Sequence, residues 1–550
     1  MQTYDSKDTG PGPIISNICQ QLAVRDTIND VVPWDEKQCL LDPGTHVEAL
    51  IINILCRRDP LYRVKDFYLE QDVELLFGKG VAANHFNDDA LGNTLDKIYL
   101  AGPKKVFSAV ALKAQLKEDI SYRVLHGDTT ARLMYGAYEH GVGLNITKGY
   151  NKEHRTDLKQ FKVGLVVTEE GFPVLGEILD GNLNDKTWNK QLLENLPANF
   201  TLEELQRIVY VADSALVTPD SLKAMGDAIR FISRLPETYN LAFELTRAAF
   251  ERDSWTQLGK VSPGEKSAVY KVQEFNKQLY DRTYRFLVVH SSHLDKRKLK
   301  GLDGRLKKQK DVLEKAAQTF MKLTFACEAD ANDALIRFLK EHRNIFYPLQ
   351  GVVEKTKEKV KRNKRGRPAK DEEAACRELY KVNILLGPLD ENAYEQEKEQ
   401  LSCFILISNI FHGYSAFEIL KEYKEQTVVE NRFKFIKHPL YVGPLWLRKK
   451  ERLEALSYVI LMALAVYIIL QRRVRLALQQ EAEPLLLTGD KKSFVPTGNK
   501  ILELFMPVKI VYIKEDGPAK RFLPERYLRL TRALRMIGFE MEIFTMPRAP

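Results

Sequence analysis

At 550 residues, 44% of them apolar and 29% charged, the chain can bury a large core divided into about two to four domains, which excludes wholesale disorder. Its 83 Lys and Arg against 74 Asp and Glu leave a net charge of +9, informative only where it clusters. Six cysteines without a Cys-x2-Cys pair argue against a disulfide scaffold or a zinc module and point to a reducing compartment.

Residues 1–115 are predicted to be a helical module, with helical apolar spacing through HVEALIINILCRR (46–58) and ALGNTLDKIYLAG (90–102). No secretory signal is read at the N-terminus. From about residue 120 the pattern turns to short β-rich runs: SYRVLH (121–126), FKVGLVV (161–167), FPVLGEIL (172–179), RIVYVAD (207–213) and AIRFISR (228–234). TEEG (168–171) suits a hairpin between the second and third, and DKTWNKQLLENL (185–196) reads as a helix. Two antiparallel strands, a helix and two further strands predict a mixed α/β sheet over 116–235, with the later strands parallel to the first.

Residues 236–400 are more charged, with one β-like run at RFLVVH (285–290), and read as an insertion. The β/α pattern resumes over 401–478. The run YVILMALAVYIIL (458–470) has 13 apolar residues, short of the roughly 18 needed to span a bilayer, and is predicted to be a buried helix of a protein without membrane attachment. The C-terminal region, 479–550, holds a β-like run, PVKIVYI (507–513), and a basic helix, ERYLRLTRALR (525–535).

The stretch 415–439, SAFEILKEYKEQTVVENRFKFIKHP, has a capping box at Ser415 and Glu418 and a stop at Pro439, which predicts one helix of about six turns. Tyr423, Gln426, Glu430 and Lys437 recur within it at spacings of 3, 4 and 7, so at about 100° per residue they share one stripe. A solvated charged face is the plain reading of each alone; together, a tyrosine, a carboxylate and a lysine suit a metal ion and an adjacent phosphate. Asp128 and Asp213 close two of the β-rich runs. Singly each reads as a loop cap, but on neighbouring strands both would enter the crevice where open α/β sheets place ligands. His126, two residues before Asp128, reads as a packed side chain, and Gly141-Val142-Gly143 is too short a motif to indicate a nucleotide fold.

These residues resemble an insertion-sequence transposase of the DDE type, from the superfamily named after insertion sequence four, with signature Tyr-x2-Arg-x3-Glu-x6-Lys. Here it stands as Tyr423-x2-Gln426-x3-Glu430-x6-Lys437, glutamine replacing arginine, with Asp128 in HGDTTARLMYG and Asp213 in VYVADSALVT at the first two acidic positions. The segment from RTDLKQFKVGLVV to GFPVLGEILDGNLNDKTW (155–188) is similar to the region between those acids in one branch of the superfamily. The resemblance implies an RNase H-like mixed-sheet catalytic core in two parts, preceded by a helical DNA-binding domain and interrupted between the second Asp and the Glu. The 216 residues of 214–429 leave room for such an insertion. It further implies that Asp128, Asp213 and Glu430 hold magnesium, replaceable by manganese, and that Tyr423, Gln426 and Lys437 contact the DNA end, with Arg432 adding charge nearby.

Two cations bridging such carboxylates stabilise both the attacking and the leaving oxygen of an in-line phosphoryl displacement, and oxygen ligands favour magnesium over zinc. The segment 354–370, EKTKEKVKRNKRGRPAK, carries nine Lys/Arg against two Glu. Its core at Arg365 and Arg367 matches an AT-hook, an extended Arg-Gly-Arg for the narrow minor groove of A·T-rich duplex. A second basic stretch, 295–310, reads first as a solvated helical face. The expectation is therefore a transposase that binds terminal inverted repeats, cuts at the element ends and joins them to target DNA, as a homodimer on double-stranded DNA in the bacterial cytoplasm at the nucleoid; resemblance suggests a hairpin intermediate. The alternatives are a domesticated DNA-binding protein that no longer cuts, or an RNase H-like nuclease without strand transfer.

Overall fold

The computed structural model describes residues 3–136, 138, 143–198, 200–262, 264–359, 376–437, 447–514 and 520–548. The fold is mixed α/β, and the chain divides into two compact units: Met1–Arg234, Leu279–Tyr284 and Ser408–Pro550 form the first, Leu235–Gln278 and Arg285–Ile407 the second.

The first unit begins with helices whose ends are written into the sequence. Helix α1 (Pro43–Cys56) starts on Asp42, whose carboxylate accepts the Thr45 N–H at 2.7 Å, with proline at the first helical position. Helix α2 (Asp88–Ala101) is capped by Asn87 and stopped by Gly102 at φ +86°, from which Pro103 opens α3 (Pro103–Lys117). Strands β1 (Val124–Met134), β2 (Lys159–Thr168) and β3 (Pro173–Leu179) follow, then helix α4 (Asp185–Asn195), strand β4 (Val209–Ala212) and strand β5 (Arg230–Arg234). Within this unit the strand order is β3-β2-β1-β4-β5. β1, β2 and β3 pair antiparallel, while β4 and β5 join β1 in parallel, as the sequence predicts.

The second unit contains the strand Thr256–Lys260 and most of the strands Val269–Leu279, Arg282–Ser291 and Cys403–Ser408, adjacent in that order. Its long helix α5 (Lys296–Phe320) and helix α6 (Glu328–Glu341) accompany a second, antiparallel sheet of Thr324–Phe325, Cys376–Leu386 and Leu349–Lys359. Leu302, Leu306 and Leu313 of α5 bury one face against Phe346 and Tyr347. The insertion thus holds more strands than the single run at 285–290 predicted from sequence. Leu349–Lys359 keeps its side chains mostly in solvent, so no apolar alternation marks it.

Returning to the first unit, the chain forms α7 (Ala416–Lys424), α8 (Thr427–Lys437) and α9 (Lys450–Gln479). The single six-turn helix expected over 415–439 is therefore broken at Glu425 and Gln426. Helix α9 is buried continuously from Ala455 to Gln471, and its neighbours include α1, α2, α3 and β3. Although long and apolar enough to cross a membrane, it has 94% of its most apolar window buried inside the protein. The N-terminal helices expected to stand apart as residues 1–115 instead share one core with α9, reaching from Ile14 to Phe544. Thr3–Asp8 pairs antiparallel with Lys509–Lys514 of the C-terminal region.

Candidate active site

The parallel register of β1 and β4 pairs Gly127 with Ala212, so the next residue on each strand, Asp128 and Asp213, stand side by side. Asp128 does not close its strand, as the sequence suggested. β1 runs on to Met134 along β2, and Asp128 lies where the shorter parallel neighbour ends. Gly127 makes this approach possible: a Cβ there would lie 2.0 Å from the Tyr210 hydroxyl, which crosses beneath the pair.

The charge of Asp213 disfavours the ionisation of Asp128. Asp128 is pushed up to about 7, first by burial and then by the charge of Asp213, with partial relief from Lys152 and from the Thr129 N–H it accepts at 2.7 Å. Asp213 is exposed to solvent and accepts the Ala215 N–H at 3.0 Å. Its carboxyl is also raised, first by the protein packed around it and then by Asp185, against Lys152. Tyr210 is buried and held protonated by desolvation and by both aspartates. His126 is fully buried, its imidazole lowered to about 4 by desolvation, in keeping with a packed side chain.

Sequence reasoning passed over Asp185, the first residue of α4. It accepts the Thr129 hydroxyl at 2.6 Å and the Lys162 ammonium at 2.9 Å, and its charge reaches both aspartates of the pair. The only mark in the sequence was its place in the stretch GNLNDKTW. Arg234, at the end of β5, was also missed; it hydrogen-bonds to Tyr423.

Tyr423 lies near the end of α7, its phenol raised by burial and by the charges of Asp213 and Glu430 against that of Arg234. Those charges bring Glu430, Asp213 and Tyr423 into one electrostatic neighbourhood. Glu430 is exposed in the first turn of α8, and it is Asp185 and Lys152, not Glu430, whose charges reach Asp128. Among the described residues no three His, Cys, Asp or Glu side chains are grouped closely enough to hold a metal ion. Strand register thus pairs Asp128 with Asp213, while Glu430 and Asp213 both act on Tyr423. Gln426 sits in the turn between α7 and α8, and Lys437 is the last residue of α8.

Arg432 departs from its expected place among DNA contacts. Only 8% exposed, it donates to the Glu170 carbonyl at 3.0 Å and lies over Gly171. Its helix turns it inward among Val429, Phe433 and Ile436. Arg365 and Arg367 lie outside the described residues; Leu349–Lys359 and Cys376–Leu386, on either side of them, pair as antiparallel strands.

A family model described as a domain of unknown function, DUF4277, matches residues 6–112, which include α1, α2 and most of α3. No curated protein matches the chain.

Proposed function

We propose that the protein is a DDE-type DNA transposase with an RNase H-like core, cutting and joining phosphodiester bonds at the ends of a mobile element. The observation that carries this reading is the parallel pairing that sets Asp128 beside Asp213. Two adjacent carboxylates that are both raised, Asp128 by burial and by the charge of Asp213, fit a divalent cation, which would favour their ionised forms. Glu430, whose charge reaches Tyr423 together with that of Asp213, would join them as the third carboxylate. Magnesium bound there would supply charge stabilisation to the attacking and leaving oxygens.

The remaining work falls to the protein's own groups. Burial keeps the Tyr423 phenol protonated, able to donate to a phosphate oxygen flanking the scissile bond. Arg234 beside it offers the guanidinium that Gln426 does not, so the strand end replaces the missing arginine of the signature. Asp185 ties Thr129, next to Asp128 on β1, to Lys162 on the neighbouring β2 and so acts as a positioning residue.

The test uses duplexes taken from the DNA flanking the coding sequence, incubated with the protein and magnesium. Cleavage at matched inverted repeats is expected. Asp213→Ala should cut at least about a hundredfold more slowly while binding the same duplex nearly as well, since phosphate contacts lie elsewhere. Undiminished cutting by Asp213→Ala, or no metal-dependent cutting by the parent protein, would overturn the reading.

A further inference from the structure

Away from the aspartate pair, the second unit carries a concentration of charge that the mechanism does not use. Helix α5 holds nine Lys and Arg against three acids, a local net of +6 beside the chain's +9. Its apolar residues Leu302, Leu306 and Leu313 face the unit's core. The opposite side opens onto a cleft of about 720 Å³ whose lining includes Lys300, Gly304, Lys308, Val312 and Arg343.

Three features of this cleft point the same way. Lys300, Lys308 and Arg343 are exposed and, among the described residues, make no ion pair or hydrogen bond, whereas Arg305 is engaged by Glu397 at 2.5 Å. Gly301 and Gly304 leave the floor of the cleft bare, a Cβ at either meeting nothing within 4 Å. Helix-forming residues would fill that floor, and glycine costs about 1 kcal/mol relative to alanine in a helix interior. Lys300 and Lys308 are two turns apart, about 12 Å along the axis at 1.5 Å per residue. Cations strung in a line over a bare strip of helix suit an extended polyanion better than a compact one, which calls for convergent donors. At 3.4 Å of rise per nucleotide, 12 Å covers about three to four nucleotides of one strand.

We propose that this cleft seats the phosphodiester backbone of duplex DNA, with Lys300, Lys308 and Arg343 on the phosphates and Gly301 and Gly304 admitting the strand close to the helix. The proposal rests on the nucleic-acid reading above and extends it to the second unit. These contacts are to phosphate, so the affinity they supply is independent of base sequence.

The test measures binding of the full chain to a duplex of arbitrary sequence by fluorescence anisotropy over a series of salt concentrations. In the triple variant Lys300→Ala, Lys308→Ala, Arg343→Ala, the slope of log K against log salt should fall by up to about 2.7, at about 0.9 per phosphate contact. A control triple at Lys315, Lys322 and Lys340, exposed residues outside the cleft, removes the same charge and should leave the slope within about 0.5 of the parent. Gly304→Leu, which fills the floor without changing charge, should weaken binding several-fold. If the parent binds but the cleft triple matches the control, the cleft proposal fails while the nucleic-acid reading stands. If the parent does not bind duplex DNA at all, that reading itself fails.

Discussion

Asp128 makes the protein's stability depend on pH in a definite direction. Its carboxyl titrates near 7 in the folded chain and near 3.9 when unfolded. Between those values the folded state keeps a proton that the unfolded state has released, so stability falls as pH rises from about 4 to about 7. Above 7 the penalty is complete. His126 acts in the opposite sense: lowered to about 4 when folded and near 6.5 when unfolded, it removes stability as pH falls below 6.5. Comparing Asp128→Asn with its parent cancels the histidine. The variant should melt several degrees higher than the parent at pH 8, a gain that shrinks towards zero near pH 4. Magnesium should raise the parent's Tm at pH 8 more than the variant's. A Tm difference that stays flat from pH 4 to 8 would show that Asp128 is not the strained carboxyl. The sequence marked this residue but not its strain, because a neighbour 85 positions away is brought alongside only by strand register.

At the scale of elements, the strands of the first unit were legible because β-branched runs and a glycine turn stand in their natural order. The strand at 349–359 was not, since a mostly solvated strand leaves no apolar signature. The break between α7 and α8 has a clearer cause. Projected at about 100° per residue, the buried residues of α7 (Ala416, Ile419, Leu420, Glu422) and those of α8 (Val429, Arg432, Phe433, Phe435, Ile436) centre roughly 140° apart. One straight helix could not bury both sets against one core, so the chain tightens at Glu425 and Gln426 and turns the second segment. The cap at Ser415 and the stop at Pro439 define the ends and say nothing of this rotation. Once turned, α8 is pinned to the β2–β3 hairpin by Arg432 over Gly171, which has φ +83° and whose absent Cβ would lie 2.2 Å from the Arg432 Nε. Gly171→Ala therefore combines a left-handed backbone penalty with displacement of a buried guanidinium, together about 2–4 kcal/mol. Urea unfolding followed by tryptophan fluorescence should show a lower midpoint at unchanged slope. A loss under about 0.5 kcal/mol would mean that α8 is not anchored there.

For the molecule as a whole, boundaries drawn from composition and boundaries drawn by packing differ. The apolar run at 458–470 announced a helix buried on all sides, but which segments bury it is a long-range fact that periodicity does not carry. The segment matched as DUF4277, residues 6–112, supplies much of the cover: α1 is buried along nearly its whole length, and α1, α2 and α3 all pack on α9. Arg452 of α9 clamps Asp96 of α2 with hydrogen bonds of 2.8 and 2.7 Å. Arg548, near the other end of the chain, pairs with the buried Glu48 of α1. Without α9 these helices would expose a broad apolar face, and without the C-terminal segment Glu48 would lose the Arg548 guanidinium. Such a loss exceeds the 5–15 kcal/mol by which a typical domain is stable, since each large aliphatic side chain re-exposed costs about 1.5–3 kcal/mol. A fragment of residues 1–117 should therefore retain part of its helical circular dichroism yet melt without a cooperative transition and bind a hydrophobic dye, as a collapsed but unpacked chain does. The full chain, in which α9 and the sheet complete this core, should give a sigmoidal melt. A sharp thermal transition with protected amides in the fragment alone would establish the N-terminal helices as an independent domain, with α9 merely resting against them.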